Sequence, residues 1–391
     1  MNFARRTNWE LHPNRFAEAL SAHRAAGQEL LDLTASNPPD AGLKYDAAAI
    51  LAALNNSKVL EYHPEPKGLL CAREAVREYY AEFAQPTGAG CVLDRERIVL
   101  TTSTSEAYTY TFRLLCDPGD EVLIPTPSYP LFEYLAGLQD VKLLPYPLFY
   151  DHGWHIDFHA LRQNLSPRTR AIILVNPNNP TGSYVSAQET AELNSICGER
   201  NLALIVDEVF LDYSLGDAQP SFAFNGATLT FTLSGISKIS GLPQMKLAWM
   251  AISGPVDIAC AALARVEVIA DTYLSMNAPI QLAAPALLHQ RYSVREQLVS
   301  RIRANLGELD RRLAGSAVSR LQVDGGWYAV LRVPRVQSDE ELALALLERS
   351  NLLVQPGYFY DFPEDGYLVV SLITPERTFS EGIQRLLRVS T

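Results

Sequence analysis

Long apolar runs are missing from this chain of 391 residues. None reaches the roughly 20 residues that a membrane-spanning helix needs. Positive charge is also short: 33 Lys and Arg stand against 44 Asp and Glu, for a net charge of −11. That balance argues against nucleic acid and anionic membrane surfaces as partners. Cysteine is sparse. Cys71, Cys91, Cys116, Cys197 and Cys260 are odd in number, scattered and without metal-ligand spacing. They read as mostly packing residues in a reducing cytoplasm, and no metal site is expected. The segment Met1-Asn2-Phe3-Ala4-Arg5-Arg6-Thr7-Asn8 lacks the apolar stretch of a signal peptide, so a cytoplasmic location is expected. Repeats and low-complexity tracts are absent.

Lysine is the scarcest charged residue, with six in the chain. Two of them fall in its most apolar stretch: between Asp217 and Asp257 the charged residues are Lys238 and Lys246 alone. The flanking runs Thr228–Leu233 and Leu247–Ile252 read as buried strands. Lys238 is therefore expected in a short Ser/Gly loop, Ser234-Gly235-Ile236-Ser237-Lys238-Ile239-Ser240-Gly241, between two core strands. A lysine there loses hydration, its pKa falls, and its amine becomes a usable nucleophile. The competing reading is a solvated loop lysine.

Hydrophobic residues make up 48% of the chain, enough for one large domain and one smaller one. From about residue 98 short apolar strands alternate with helices. Strands are expected at 98–101, 121–124, 171–175 and 202–206, and helices near 105–115, 129–138 and 187–199. This pattern predicts an α/β fold with a mostly parallel sheet covered on both faces, and a ligand site at the carboxyl ends of its strands. Earlier, helices are expected at 15–26, at 46–54 capped by Asp46, and near 69–84. After about 275 come a long helical stretch, strands near 318–323, 327–333 and 367–373, a helix near 339–349 and a final helix. Ser186 with Glu189 and Ser338 with Glu341 are capping-box signatures.

Four stretches at strand ends carry chemistry. Thr102-Ser103-Thr104-Ser105-Glu106 opens a helix and offers hydroxyls, free N–H groups and the positive dipole end to a phosphate, or serves as an ordinary N-cap. Pro125-Thr126-Pro127-Ser128-Tyr129-Pro130 is a stiff loop whose Tyr129 ring either stacks on a flat cofactor or joins the core. Asn176-Pro177-Asn178-Asn179-Pro180-Thr181-Gly182 is a rigid turn presenting an amide to a ligand, with a cis Asn179–Pro180 bond expected. Asp207 ends a core strand, where a carboxylate is costly unless paired, for example with a protonated pyridine nitrogen, an arginine or a backbone N–H.

Taken as an ordered set, Tyr62…Gly68, Ser103-Thr104-Ser105-Glu106-Ala107, Pro127-Ser128-Tyr129-Pro130, Asn179-Pro180-Thr181-Gly182, Asp207-Glu208 and Ser237-Lys238 resemble the class I/II aminotransferases. These are pyridoxal 5'-phosphate enzymes of fold type I. The resemblance covers nearly the whole chain. It implies a large domain over 45–285 with a seven-stranded-type, mostly parallel sheet, and a smaller α+β domain from 1–44 and 286–391. It implies that Lys238 carries the cofactor as a Schiff base and shuttles the proton. Asp207 would pair with the pyridinium nitrogen and Tyr129 would stack on the ring. Asn179 would bond the phenolic oxygen region and help seat the substrate carboxylate. Ser103, Thr104, Ser105, Ser237 and Lys246 would hold the phosphate. Tyr62 would reach the phosphate of a neighbouring subunit, which implies a homodimer. Ser36 and Asn37 would lie near the substrate, an amino acid or its 2-oxo acid.

The chain departs from the family pattern at four positions. Phe210 stands where a tyrosine usually donates to the cofactor, a loss that should raise the pKa of the Schiff base. Gly235 replaces a phosphate-binding Ser or Thr, and Lys246 replaces an arginine clamp. Near Val369, where an arginine usually holds the substrate carboxylate, a slip of one residue gives only Leu368 or Val370. Arg377, Arg332, backbone groups or Asn179 are the candidates to replace it. Tyr129, Tyr273 and Trp327 either line the pocket or pack.

The implied function is transfer of an amino group between an amino acid and a 2-oxo acid. The altered carboxylate site keeps a second reading open: another reaction of the same cofactor, such as elimination, decarboxylation, racemisation or oxidation. A non-enzymatic cofactor-binding module ranks last, because no helix-turn-helix precedes the sheet and the chain is acidic.

Overall fold

Continuous apolar runs of four to seven residues become strands buried on both faces. The computed structural model describes residues 2–84 and 92–389, so Cys91 lies outside the described residues. In chain order the strands are β1 (Leu31–Asp32), β2 (Ile98–Thr101), β3 (Glu121–Thr126), β4 (Lys142–Tyr150), β5 (Trp154–Ile156), β6 (Thr169–Val175), β7 (Ala203–Asp207), β8 (Thr230–Gly235), β9 (Ala248–Ser253), β10 (Ser319–Arg320), β11 (Tyr328–Arg332), β12 (Leu352–Leu353), β13 (Gln355–Pro356) and β14 (Tyr367–Ser371). The helices are α1 (Arg15–Ala25), α2 (Ala47–Leu54), α3 (Leu70–Tyr80), α4 (Thr104–Leu115), α5 (Phe132–Gly137), α6 (Phe158–Gln163), α7 (Ala187–Arg200), α8 (Ile236–Ile239), α9 (Val256–Tyr273), α10 (Ala278–His289), α11 (Arg291–Leu313), α12 (Asp339–Ser350) and α13 (Glu376–Val389).

The large sheet runs β2-β9-β8-β7-β6-β3-β4-β5. The neighbours from β8 through β4 are parallel, β9 lies antiparallel between β2 and β8, and β5 forms an antiparallel hairpin with β4. Side chains alternate across it, as the two-residue period of a strand requires. Ile172, Leu174, Leu204 and Val206 pack on Leu193 and Ile196 of α7. Ile173, Ile205 and Phe231 pack on the other side against Phe112 of α4 and Val266 of α9. Both faces are thus dry, and the polar chemistry is left to the strand ends.

A second, four-stranded antiparallel sheet runs β10-β11-β14-β13. Its core joins Leu331 and Val369 to Leu298 of α11, Leu346 of α12 and Phe379 of α13. The N-terminal segment belongs to this core: Leu31 and Leu33 are part of it, and β1 pairs in parallel with β12. The expected caps form. Asp46 accepts from the Ala49 N–H at 3.0 Å, and both capping boxes are complete.

Several expectations are corrected. Lys238 lies in a one-turn helix, α8, not in a loop. The large sheet has eight strands, because β4 and β5 were not anticipated. Pro145 and Pro147 erase the strand pattern of β4, and its place at the half-exposed margin of the sheet tolerates them. The helix α9 begins at Val256, well before the helical stretch expected after 275, and the expected strand over 318–323 shrinks to β10. Among the described cysteines only Cys197 is buried; Cys71 and Cys260 are exposed, so they are not packing residues.

The turn after β6 joins the two halves. Its Asn179–Pro180 bond is cis, as expected, and so are Asn176–Pro177 and Thr126–Pro127. Gly182 has φ +72°, and a Cβ there would stand 2.5 Å from the Gly325 carbonyl oxygen just ahead of β11. Only glycine suits both the left-handed backbone and that approach. Gly182→Ala is expected to destabilise the protein by about 2 kcal/mol or more, measured as a loss of unfolding free energy in urea.

Candidate active site

The register of the large sheet brings the chemical residues to one edge. Val175, Asp207 and Leu233 stand side by side on β6, β7 and β8. Gly235 of β8 and Thr101 of β2 both pair with Ala248 at the start of β9. The Asn176 turn, Asp207, α8 and the first turn of α4 therefore all leave the sheet at its carboxyl edge.

Lys238 sits in α8 with its side chain mostly packed away. Its Nζ donates to the Ser36 carbonyl at 2.8 Å and lies 5.1 Å from the Trp327 ring centroid and 5.9 Å from that of Phe210. Burial pushes the amine down to about 8, and Asp207 opposes the shift. The Tyr213 hydroxyl donates to the Lys238 carbonyl at 2.7 Å, and the Tyr45 hydroxyl to the Gly241 carbonyl at 2.7 Å. One bond falls on α8 and the other two residues past its end, so the two tyrosines tie down the turn that bears the lysine.

Asp207 is buried at the end of β7. Its Oδ1 accepts from the Val209 N–H (3.1 Å) and its Oδ2 from the Tyr108 hydroxyl (3.2 Å). Burial raises its pKa to about 6, against those two hydrogen bonds and the Lys238 charge. Lys238 acts on it through space, and the two form no ion pair.

Around this pair the other sequence candidates take up distinct places. Ser103 is the N-cap of α4, its Oγ accepting from the Glu106 N–H at 3.2 Å. Thr104 and Ser105 form the half-exposed first turn, where backbone N–H groups have no intrahelical acceptor. Ser237 is half-buried on α8. Lys246 is exposed, two residues before Ala248, at the same sheet edge as Ser103. Asn179 is buried, and its Oδ1 has no partner. Tyr129 is half exposed beside Phe132, with Asp207 among the groups that raise its pKa after burial. Ser36 is brought to Lys238, whereas Asn37 is exposed. Tyr62 is 81% exposed on the outer surface and makes no contact with Lys238 within this chain.

The departures have local causes. A Cβ at Gly235 would stand 2.8 Å from the Ala248 Cβ and 2.9 Å from the Leu247 carbonyl, so packing excludes a serine there. Phe210 is buried, edge-on to Trp327 at 5.0 Å. Leu368, Val369 and Val370 are all fully buried, and Val369 pairs with Val330 and Gln355. Of the two proposed arginine substitutes, Arg332 lies over the Tyr150 ring at 5.8 Å, and Arg377 is exposed on α13 beside Arg385 and Arg388. Tyr273 packs at a tilt on Tyr110 and lies under Arg113, while Trp327 faces the lysine.

Sequence reasoning missed Tyr108, Tyr45 and Tyr213. Tyr108 had a signal, since it lies four residues after Thr104 on the face of α4 that looks toward the strand ends. Tyr45 and Tyr213 act through hydroxyls on main-chain carbonyls of the turn 238–241, distant along the chain, and no spacing reveals that.

These residues fit a pyridoxal phosphate. Asn179 Oδ1 is a buried acceptor without a donor, Asp207 is a buried carboxylate in no ion pair, and Lys238 is a largely desolvated amine. The fold and site define a pyridoxal-phosphate enzyme of fold type I. The sequence model of the aminotransferase class I and II family matches residues 28–386, and the chain belongs to that family of pyridoxal-phosphate-dependent aminotransferases. It is similar to the glutamate-pyruvate aminotransferase AlaA of Escherichia coli K12, with 27% identity over 358 residues, 88% of this chain and 87% of that one. It is similar also to the alanine aminotransferase of Mycobacterium tuberculosis H37Rv, with 28% identity over 376 residues, 93% of this chain and 86% of that one. The structure of alanine aminotransferase from Pyrococcus furiosus matches in fold with a TM-score of 0.88 at 22% identity, covering 99% of each chain.

Behind Asp207 lies a second buried carboxylate. Glu208 accepts from the Ser221 hydroxyl (2.6 Å) and the Phe222 N–H (2.7 Å), yet burial raises its pKa to about 8, with Asp207 and Asp212 adding to the rise. A folded-state pKa above the unfolded one means stability present at low pH and lost as pH rises toward 8. Glu208→Gln is expected to remove that loss: relative to wild type, its thermal midpoint should gain steadily between pH 5 and pH 8.5 in a scanning calorimeter.

Proposed function

We propose that Lys238 is the amine that carries the cofactor and moves the proton during amino-group transfer. The observation that carries this reading is the desolvated Lys238 amine standing near the buried, cation-free Asp207 at the sheet's carboxyl edge. When bound, pyridoxal phosphate supplies an electron sink for the bond broken at the substrate's α-carbon. Asp207 would hold the proton on the ring nitrogen, because a carboxylate buried beside it favours the cationic form. Asn179 would bond the ring's oxygen and seat the substrate carboxylate. Tyr129 would cover the ring. Thr104 and Ser105 would offer N–H groups and, with Ser103, Ser237 and Lys246, hold the phosphate. Ser36, already at the lysine, and Asn37 would flank the substrate.

The substrates we propose are a small neutral amino acid such as alanine and a 2-oxo acid. The names of the similar proteins support this, as do the uncharged rings of Phe210 and Trp327 that face Lys238. We further propose a homodimer in which Tyr62 completes the partner's site. The outward, 81% exposed Tyr62 ring and the neighbouring Leu60, 90% exposed, support it. We also propose a large unit over 45–285 and a small one from 1–44 and 286–391; the two separate sheets support this division, although Leu287 and Leu288 pack in the core of the large unit and Phe210 and Tyr213 in that of the small one. No helix among the described residues is long and apolar enough to cross a membrane, and a cytoplasmic site of action is proposed.

Alanine added without any oxo acid should convert the cofactor's absorbance to that of pyridoxamine phosphate and release pyruvate. Lys238→Ala should lose turnover by at least about a thousandfold and bind the cofactor without covalent attachment. A variant that still transaminates at the wild-type rate would refute the assignment.

A further inference from the structure

Three aromatic residues, Phe210, Tyr213 and Trp327, gather around Lys238. The short 3-10 turn Leu211–Tyr213 follows Phe210, and the Tyr213 N–H donates to the Phe210 carbonyl at 3.0 Å. Side chains three apart on such a turn lie one above the other. Phe210 and Tyr213 accordingly meet the Trp327 ring edge-on, at 5.0 Å and 70° and at 5.1 Å and 69°. Trp327 is itself pinned. The Gly326 N–H donates to the Tyr213 carbonyl at 3.0 Å, and the Trp327 carbonyl accepts from the Leu372 N–H at 2.7 Å. One face of this fully buried ring looks at the Lys238 Nζ from 5.1 Å, and Phe210 adds a second ring at 5.9 Å. Tyr213 closes the arrangement, because its hydroxyl holds the Lys238 carbonyl at 2.7 Å.

We propose that Phe210, Trp327 and Tyr213 form an aromatic clamp that holds the ammonium form of Lys238 over the Trp327 face, with Ser36 accepting one of its hydrogens. The three are positioning residues for the amine, and the proposal rests on the reading of Lys238 as the reacting lysine. An amine that carries a proton to and from a substrate must hold it without losing it to a stronger base. A ring face attracts a cation through its quadrupole but cannot take the proton. A nearby carboxylate could do both. Asp207 is the charged group that acts on the amine, and it does so without an ion pair. The other polar groups facing α8 are the Tyr213 and Tyr45 hydroxyls, both committed to main-chain carbonyls, and the Ser36 carbonyl.

The clamp is tested by weakening the ring quadrupole without changing the ring's shape. Wild type and Trp327→Phe are each produced with ordinary tryptophan and with polyfluorinated tryptophan, and loaded with pyridoxamine phosphate so that the lysine is free. The titration of Lys238 is read as its acetylation rate against pH, by mass spectrometry of its peptide. Fluorination should lower the midpoint by about half a unit to one unit in wild type. In Trp327→Phe, where only Trp9, Trp154 and Trp249 carry fluorine, the midpoint should not move. An unmoved midpoint in wild type, or an equal fall in both proteins, would overturn the clamp. Borohydride reduction of the pyridoxal-phosphate form separates this from the assignment itself: a label on any peptide other than that of Lys238 would overturn the reading on which the clamp rests.

Discussion

Everything in this structure bears on keeping a lysine amine and a carboxylate buried near each other without letting them neutralise as a pair. Each charge is costly out of water. The amine is pushed down toward neutrality and the carboxylate up, so each is poised near the point where its proton can move. A direct ion pair would consume that potential. The strands of the large sheet prevent it by placing Asp207 at the end of β7, while Lys238 lies on a separate turn after β8.

The dry sheet is what makes this arrangement rigid. Alternating side chains bury both faces, so the backbone at the strand ends has little freedom. Polar residues there must find partners within the fold or in a ligand. Tyr108 and the Val209 N–H steady Asp207, and Tyr213 and Tyr45 steady the turn that bears the lysine. Asn179 Oδ1 is left without a donor, which is a stored demand for hydrogen bonding.

The second half of the chain and the N-terminal segment supply the opposite wall. β1 adds the N-terminus to the small core, and from there the chain crosses to Ser36 at the lysine. The glycines at 182 and 325 let the Asn179 turn press against the segment that carries Trp327. The site is thus assembled from stretches that reach from Ser36 to Trp327, and a buried valine, Val369, stands where the family pattern expects an arginine.

The strongly patterned features were legible in the sequence: the buried strands, the capping boxes, the lysine in an apolar stretch, the carboxylate at a strand end and the rigid proline turn. Each follows from local chemistry, because a continuous apolar run, a reciprocal cap or an Asn-Pro step acts within a few residues. Strands β4 and β5 were not legible, since two prolines mask a strand that only its marginal position permits. The tertiary structure alone decided what stands around the lysine. The exclusion of serine at Gly235 by Ala248, the hydroxyls of Tyr45 and Tyr213 on distant carbonyls, and the seating of Arg332 over Tyr150 all depend on contacts between segments that share no sequence pattern. Local propensity is set by neighbours along the chain. The environment of a buried charge is set by neighbours across it, and those exist only once the two halves have packed.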